Sequence, residues 1–198
     1  MLALDLREYF RRPKQKNIHL FSPATQVLAL FWIYNSPGNV LAARKSPTEM
    51  AKILGYSKMT MSRGVKEIEA ALDEANPDEK YGAVRKDDLS KHEFWQQLQP
   101  YWRNPIKRRI YLFKHNRADK VGFKAGLTAL ATYSMLAEPR REAYAVGQNE
   151  LNVLQQNRDV ELLDRPAPEA VEMEIWAYQP EHLTSYGRKE AVDPLSLY

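Results

Sequence analysis

Hydroxyl-bearing and cationic side chains are concentrated in the short segment "SKMTMSRGVK", which begins at Ser57. They are Ser57, Lys58, Thr60, Ser62, Arg63 and Lys66. Hydroxyls and lysines bind phosphate oxygens, and an arginine can form two hydrogen bonds to a guanine in the major groove of DNA. The segment therefore predicts contact with double-stranded DNA, provided that these side chains share one exposed face.

The apolar residues of the same segment have helical spacing. They are Met61, Val65, Ile68 and Leu72. Intervals of four, three and four residues place them in one continuous stripe on a helix of about residues 57–73. We expect the stripe to be buried and the polar side chains, with Glu67 among them, to lie on the opposite side.

A second helix is predicted just before this one. Ser46 and Glu49 have the spacing of a capping box, in which each residue's side chain bonds the other's amide. The apolar positions of this helix are Met50, Ile53 and Leu54. Gly55 is placed to end it in the left-handed conformation, and Gly64 would let the two helices approach closely. Two helices joined in this way predict a helix-turn-helix, whose second helix enters the major groove.

The charge is divided unevenly along the chain. Residues 1–124 contain 23 Lys/Arg and 13 Asp/Glu, a balance of +10, and residues 125–198 contain 6 and 12, a balance of −6, giving +4 together. This asymmetry favours a basic half that binds a polyanion and an acidic half with another task. The alternative is a chance distribution of solvated side chains.

The segment 46–72 resembles the helix-turn-helix of bacterial winged-helix transcription regulators of the MarR type. The resemblance is carried by Thr60, Ser62 and Arg63, which form the pattern T-x-S-R at the start of the second helix, and by Ala51 in the first. It implies a sequence-specific regulator whose second helix reads the operator.

The same resemblance implies a wing, which is a β-hairpin that touches the neighbouring minor groove or backbone. The segment 79–88 follows the second helix and is its expected place, with Arg85 and Lys86 as candidate DNA contacts. No clear second wing strand precedes "KHEFWQQLQPYW", so the sequence departs from the family at this point.

The remaining segments predict both helices and strands. Val27 to Tyr34 is apolar nearly all round and predicts a central helix, and "IKRRIYLFK" predicts a strand with the basic trio Lys107, Arg108 and Arg109. Phe94, Trp95, Leu98 and Trp102 form an aromatic stripe that we interpret as core.

In the acidic half, "AYAV" predicts a strand, and "VEMEIW" predicts a half-buried one with Val171, Met173 and Ile175 on its buried face. "GLTALATYSML" predicts a helix and weakly resembles the C-terminal region of winged-helix antitoxins of the abortive-infection type. The predicted fold class is α+β, with an N-terminal winged helix-turn-helix domain (residues 1–118) followed by a small α+β domain (residues 119–198).

Catalytic, metal and cofactor sites are not predicted. The four histidines are far apart without ligand spacing, and no phosphate-binding glycine loop occurs. Glu172 and Glu174 could share a strand face, but a third metal ligand is not evident. The chain has no cysteine, no stretch of the roughly 20 apolar residues that span a bilayer, and charged residues in its first ten positions. We therefore expect a cytoplasmic protein without a membrane partner.

These observations favour a DNA-binding transcription regulator. We expect a homodimer, formed through the aromatic segment around Trp95 and Trp102 or through "LDLREYF". The C-terminal half would bind a small-molecule effector or a protein partner, or would dimerise. One alternative is the DNA-binding antitoxin of a toxin–antitoxin pair, whose acidic half neutralises a basic toxin. Another is an enzyme with a DNA-targeting domain.

Overall fold

The structure, a computed structural model, describes residues 19–41, 44–75, 89–113, 122–157 and 160–197. Its α-helices are α1 (Pro23–Asn35), α2 (Pro47–Leu54), α3 (Lys58–Ala75), α4 (Lys91–Leu98), α5 (Gly126–Tyr133), α6 (Gln148–Gln156) and α7 (Glu181–Thr184). Its strands are β1 (Ile106–Phe113), β2 (Phe123–Lys124), β3 (Ala143–Val146), β4 (Leu162–Leu163) and β5 (Ala170–Trp176). The chain is therefore of the mixed α+β class.

Helix α1 lies at the centre of the larger core. Each residue from 24 to 33 is buried, whichever side of the helix it occupies. The helix begins at Pro23, because the Ser22 hydroxyl accepts a hydrogen bond from the Thr25 amide at 3.2 Å and Pro23 needs no amide partner. The prediction of a central helix is confirmed.

The five strands form one sheet in the order β2-β3-β5-β1-β4. β3 and β5 are parallel, and the other neighbours are antiparallel. In this register Arg109 of β1 lies opposite Glu174 of β5, and Ala145 of β3 lies on the other side of Glu174. The predicted strands "IKRRIYLF", "AYAV" and "VEMEIW" are confirmed.

Strand β5 is buried on both faces, so the prediction of a half-buried strand is wrong. Met173 and Ile175 point to a smaller core that includes Leu151 and Leu154 of α6. Trp176, on the other face, belongs to the larger core around α1. The alternation of apolar and polar residues suggested a solvated second face, but on that face Trp176 packs in the larger core and Gly126 of α5 lies next to Glu174.

The larger core draws residues from both ends of the described chain. It includes Phe21 and Trp32 as well as Leu183 and Val192. The domain boundary predicted between residues 118 and 119 lies between β1 and β2, outside the described residues.

The last described segment is attached to α1 through Asp193. Its carboxylate accepts hydrogen bonds from the Tyr34 hydroxyl at 2.8 Å and from the Ser196 amide at 3.0 Å. Burial is the main reason that the pKa of Asp193 is raised above its usual value. The Tyr34 ring also stacks on Tyr186, with the ring centroids 4.8 Å apart.

Candidate nucleic-acid interface

The turn between α2 and α3 has the geometry that the sequence predicts. The Ser46 amide donates to Glu49 Oε2 at 3.0 Å and the Glu49 amide donates to Ser46 Oγ at 3.3 Å, which confirms the capping box. The hydrogen bonds from the Ser46 side chain and amide lower the pKa of Glu49. Gly55 has φ of 68°, and its amide donates to the Ala51 carbonyl. Residues other than glycine rarely adopt this φ. Gly55 therefore allows the chain to leave α2 and turn into α3.

Ser57 and Thr60 organise the start of α3. The Ser57 hydroxyl accepts from the Thr60 amide at 3.0 Å, and the two hydroxyls are 2.8 Å apart. Ser57 thus satisfies an amide that has no partner within the helix. Both hydroxyls remain at the N-terminal tip of α3, where the helix dipole favours a negatively charged group.

One side of α3 is packed against the core. Its stripe of Met61, Val65, Ile68 and Leu72 is buried, as predicted. Gly64 lies on the same side, and a Cβ placed there would be 3.2 Å from both Leu28 Cδ2 and Thr25 Oγ1 of α1. The close approach that we predicted at Gly64 is therefore made with α1 and not with α2.

The opposite side of α3 carries exposed cations. Lys58, Arg63 and Lys66 are exposed, whereas Thr60 and Ser62 are half-buried. Arg63 and Lys66 follow Met59 at intervals of four and three residues, so the three lie along one line of the helix. Arg63, Lys66 and Met59 thus form one outward face. Lys58 and Ser57 are exposed at the N-terminal tip of α3, where Lys58 lies three residues before Met61 and in line with the buried stripe.

Glu67 does not belong to this face, and its predicted position is wrong. Its Oε2 accepts hydrogen bonds from the Thr25 hydroxyl at 2.6 Å and from the Ser22 amide at 3.3 Å. The carboxylate therefore caps α1. Thr25 and Ser22 are 42 and 45 residues away from Glu67 in sequence. Helical spacing within α3 therefore carries no information about these partners.

Two apolar residues of the helix-turn-helix segment are exposed. Ile53 of α2, predicted to be packed, is 46 % exposed, because α2 packs mainly through Met50 and Leu54 along a single line. Met59 is 65 % exposed and was missed as a candidate for DNA binding. The sequence could have indicated this residue, because Met59 lies outside the apolar stripe and next to Lys58.

The three cations of the basic trio on β1 have different surroundings in the structure. Lys107, Arg108 and Arg109 are all exposed, but Arg109 Nε lies 2.6 Å from Glu172 Oε1 and Arg109 NH2 lies 3.9 Å from Glu174 Oε1. The trio is therefore not a uniform basic patch. The two glutamates, considered above as a metal pair, instead bind this guanidinium.

No group of three or more possible metal-ligating side chains occurs in the described ranges. His182 is half-buried beside the α2–α3 turn, with its ring 5.7 Å from that of Tyr56. Its pKa is lowered by burial, which outweighs the opposing effects of Glu181 and Glu150. His115 lies outside the described residues.

Several predicted contacts lie outside the described residues. These are the wing segment 79–88 with Arg85 and Lys86, and the N-terminal segment "LDLREYF". In the described part of the aromatic segment, Phe94 and Leu98 are buried, while Trp95 and Trp102 are half-buried and stacked on each other at 5.0 Å.

Comparison with known proteins finds no match for this chain among family models, curated proteins or solved structures. Within the described ranges, every helix is too short or too polar to cross a bilayer.

Proposed function

We propose that this chain is a sequence-specific DNA-binding transcription regulator with an N-terminal winged helix-turn-helix, and that α3 reads the major groove. The observation that carries the proposal is the two-sided construction of α3. Arg63 and Lys66 share an exposed face with Met59, Lys58 is exposed at the first residue of the helix, and the apolar stripe on the other side fixes the helix against α1.

The residues in the N-terminal half of α3 would contact different parts of the DNA. Arg63 is the candidate for bidentate contact with a guanine, since a guanidinium matches the two acceptors on that base. Lys58 and Lys66 flank it and would contact phosphates. Ser57 and Thr60 would add hydroxyl contacts at the tip of the helix, and Ser62 would add one beside Arg63.

A wing and a second subunit complete the proposal. Arg85 and Lys86 would contact the DNA backbone beside the groove that α3 enters. A homodimer would place two copies of α3 on half-sites about one helical turn apart, which a single helix cannot do. We place this activity in the cytoplasm. Light scattering that gives a strict monomer, both free and on DNA, would remove the dimer from the proposal.

Selection from a pool of random duplexes tests the proposed function directly. The full-length protein should enrich one motif, and a palindromic motif would report two half-sites. On the enriched duplex, Arg63→Ala should weaken binding by about 1–3 kcal/mol and relax the preference at one base pair.

A matched control is Arg165→Ala, because Arg165 is exposed in the turn after β4 and its removal changes the net charge equally. This variant should bind within about twofold of the parent, since a single remote charge is screened at physiological salt. Enrichment of no motif, or equal weakening in the two variants, would show that α3 does not read DNA sequence.

A further inference from the structure

A cavity of about 440 Å³ lies between the N-terminal helices and the sheet. Its chemically distinctive lining residues are Trp95, Trp102, Arg103, Arg109, Glu174 and Trp176. The volume falls within the roughly 300–1,000 Å³ that is typical of small-molecule sites. The proposed DNA-binding face of α3 contributes nothing to the lining, so the cavity requires its own explanation.

Aromatic rings supply much of the cavity's apolar lining. The rings of Trp95 and Trp102 are stacked with their centroids 5.0 Å apart and an interplanar angle of 27°. Trp176, which is only 2 % exposed, and Ile106 add further apolar surface. A lining rich in indole rings favours a flat aromatic ligand, because ring faces and edges attract one another beyond simple area burial.

One carboxyl group in the lining is almost completely buried. Glu174 is 4 % exposed, and its Oε2 accepts a hydrogen bond from Trp176 Nε1 at 3.0 Å. Burial raises the pKa of Glu174 above its usual value. Its Oε1 receives no hydrogen bond from the residues that the structure describes; its distance to the Arg109 guanidinium is 3.9 Å.

The wall next to that oxygen is open because it is formed by a glycine. Gly126 has φ of 50°, and a Cβ added there would lie 3.4 Å from Glu174 Oε1. The missing side chain leaves Oε1 room to accept a hydrogen bond from a ligand N–H.

Hydrogen-bond donors and positive charge complete the lining. Trp102 Nε1 and Arg103 Nε are buried, and neither has an acceptor in the described part of the chain. The backbone of Arg103 is fixed by the Gln26 side chain, which donates to its carbonyl at 3.0 Å and accepts from its amide at 3.1 Å. These two N–H groups are closed off from solvent, so the contribution of this part of the lining to an anionic ligand is the positive charge of Arg103 and Arg109.

From these features we propose that the cavity binds a nucleoside monophosphate. The base would lie against the tryptophan rings and donate an N–H to Glu174 Oε1, and the phosphate would bind the guanidinium groups of Arg103 and Arg109. A nucleotide combines the three features that the lining requires, namely a flat ring, an N–H donor on that ring and an anionic group at the other end. The proposal is independent of the DNA-binding role of α3.

Tryptophan fluorescence of the full-length protein tests this proposal, because three of the four tryptophans line the cavity. GMP, AMP, CMP and UMP are titrated separately, and calorimetry gives the stoichiometry. At least one should quench the fluorescence saturably with one molecule bound per chain. Ribose 5-phosphate, which has no base, should bind at least about tenfold more weakly because it can neither stack on the indoles nor donate an N–H to Glu174.

Two neighbouring arginines provide a matched pair of variants. Arg109 lines the cavity and Arg108 does not, although both are exposed on β1. Arg109→Gln should weaken nucleotide binding by about tenfold or more, since it removes a charge-assisted hydrogen bond, and Arg108→Gln by less than about twofold. The corresponding nucleoside, which lacks the phosphate, should bind the parent and Arg109→Gln about equally.

Three results would overturn the proposal. The first is the absence of saturable binding by all four nucleotides at millimolar concentration. The second is equal weakening by Arg108→Gln and Arg109→Gln, which would indicate nonspecific attraction. The third is ribose 5-phosphate binding as tightly as the nucleotides. The DNA-binding test uses a different ligand and a different face of the protein, so either proposal can fail without the other.

Discussion

Arg63 in α3 and Arg109 in β1 are both exposed arginines in basic segments, yet their surroundings are opposite. Among the described residues Arg63 has no carboxylate partner, and it shares its face with Lys66. Arg109 is bound by Glu172 and lies near the buried Glu174. The first charge has no counter-ion in the described part of the chain, whereas the second is shared with two glutamates.

The difference arises from the elements that hold the two arginines. An α-helix places residues three and four apart on one side, so Arg63 and Lys66 gather on one side of α3 and the apolar stripe occupies the other. In β1 the neighbouring strand β5 supplies glutamates across the sheet, and their carboxylates reach Arg109. A run of cations in a sequence therefore has different meanings in a helix and in a paired strand.

The largest expected effect is a difference in the free energy of unfolding between a charge placed on the buried side of α3 and one placed on its exposed side. Val65→Asp places an unpaired charge at a site that is 5 % exposed, and it should destabilise the fold by about 3–5 kcal/mol. Arg63→Asp, two residues earlier and exposed, should leave the free energy of unfolding within about 0.5 kcal/mol of the parent. Urea unfolding followed by circular dichroism measures both. Similar stability of the two variants would contradict the two-sided construction of α3.

The comparison of the two basic regions is tested next by salt dependence. Replacing Lys58, Arg63 and Lys66 together by alanine should reduce the slope of log binding constant against log salt by about 1.8, because Lys58 and Lys66 each neutralise a phosphate and each neutralised phosphate contributes about 0.9 to that slope. Arg109→Ala should leave the slope unchanged within error, because Arg109 lines the cavity and is not part of the face of α3 that is proposed to bind DNA. The slopes are measured by fluorescence anisotropy on one duplex. A decrease of about 0.9 for Arg109→Ala alone would show that Arg109, too, binds a phosphate.

Because Glu67 caps α1, we expect that replacing it lowers the stability of the fold moderately. Glu67→Gln weakens the hydrogen bonds that cap α1, and it should cost about 1–2 kcal/mol. A double-mutant cycle with Thr25→Val should give a coupling of about 0.5 kcal/mol or more, since the two side chains share a hydrogen bond. DNA affinity of the folded variant should not fall. An uncoupled pair would contradict the cap.

A smaller effect on DNA-binding free energy is expected from Met59, which lies on the exposed face of α3. If its side chain packs on a thymine methyl group, replacing that thymine by uracil should cost the parent about 0.5–1 kcal/mol of binding free energy. Met59→Ala should not show this discrimination. The comparison uses duplexes that differ by one methyl group at each thymine of the selected motif in turn. The absence of any thymine whose effect depends on Met59 would rule out packing of Met59 on a thymine.

The smallest expected effect is a pH dependence at the α2–α3 turn. Burial lowers the pKa of His182, so below its ordinary value of about 6.5 the unfolded chain binds the proton before the folded protein does. Stability from the neutral ring is therefore complete above that pH and declines as the pH falls toward the lowered pKa. Urea unfolding between about pH 7.5 and 5 should show a shallower decline for His182→Gln than for the parent. Parallel curves would show that His182 does not contribute.

The features that the sequence predicts correctly in the N-terminal region depend on short-range interactions. The capping box of Ser46 and Glu49 spans three residues, and Gly55 follows from the conformation that ends a helix. The stripe from Met61 to Leu72 repeats with the period of the helix that contains it. Each of these patterns has its physical cause within a few residues, so the rest of the chain does not alter it.

The errors occur where a residue's partner is remote in sequence. Helical spacing places Glu67 on the exposed side, but it caps α1 through Thr25. Gly64 packs against a different helix from the one predicted, because the residues that require its small size are on α1. Alternation predicts a solvated face for strand β5, and the larger core covers that face.

The amino-acid sequence by itself determined where α2 and α3 begin, which side of α3 is apolar, and that its first two turns carry cations. Those properties depend on backbone hydrogen bonding and on helical periodicity, which act over a few residues. Only the tertiary structure decided that Glu172 compensates Arg109, that Glu174 is buried beside Gly126, and that a cavity lies between the helices and the sheet. These features depend on strand register and on packing between segments far apart in the chain, and no local pattern specifies either of them.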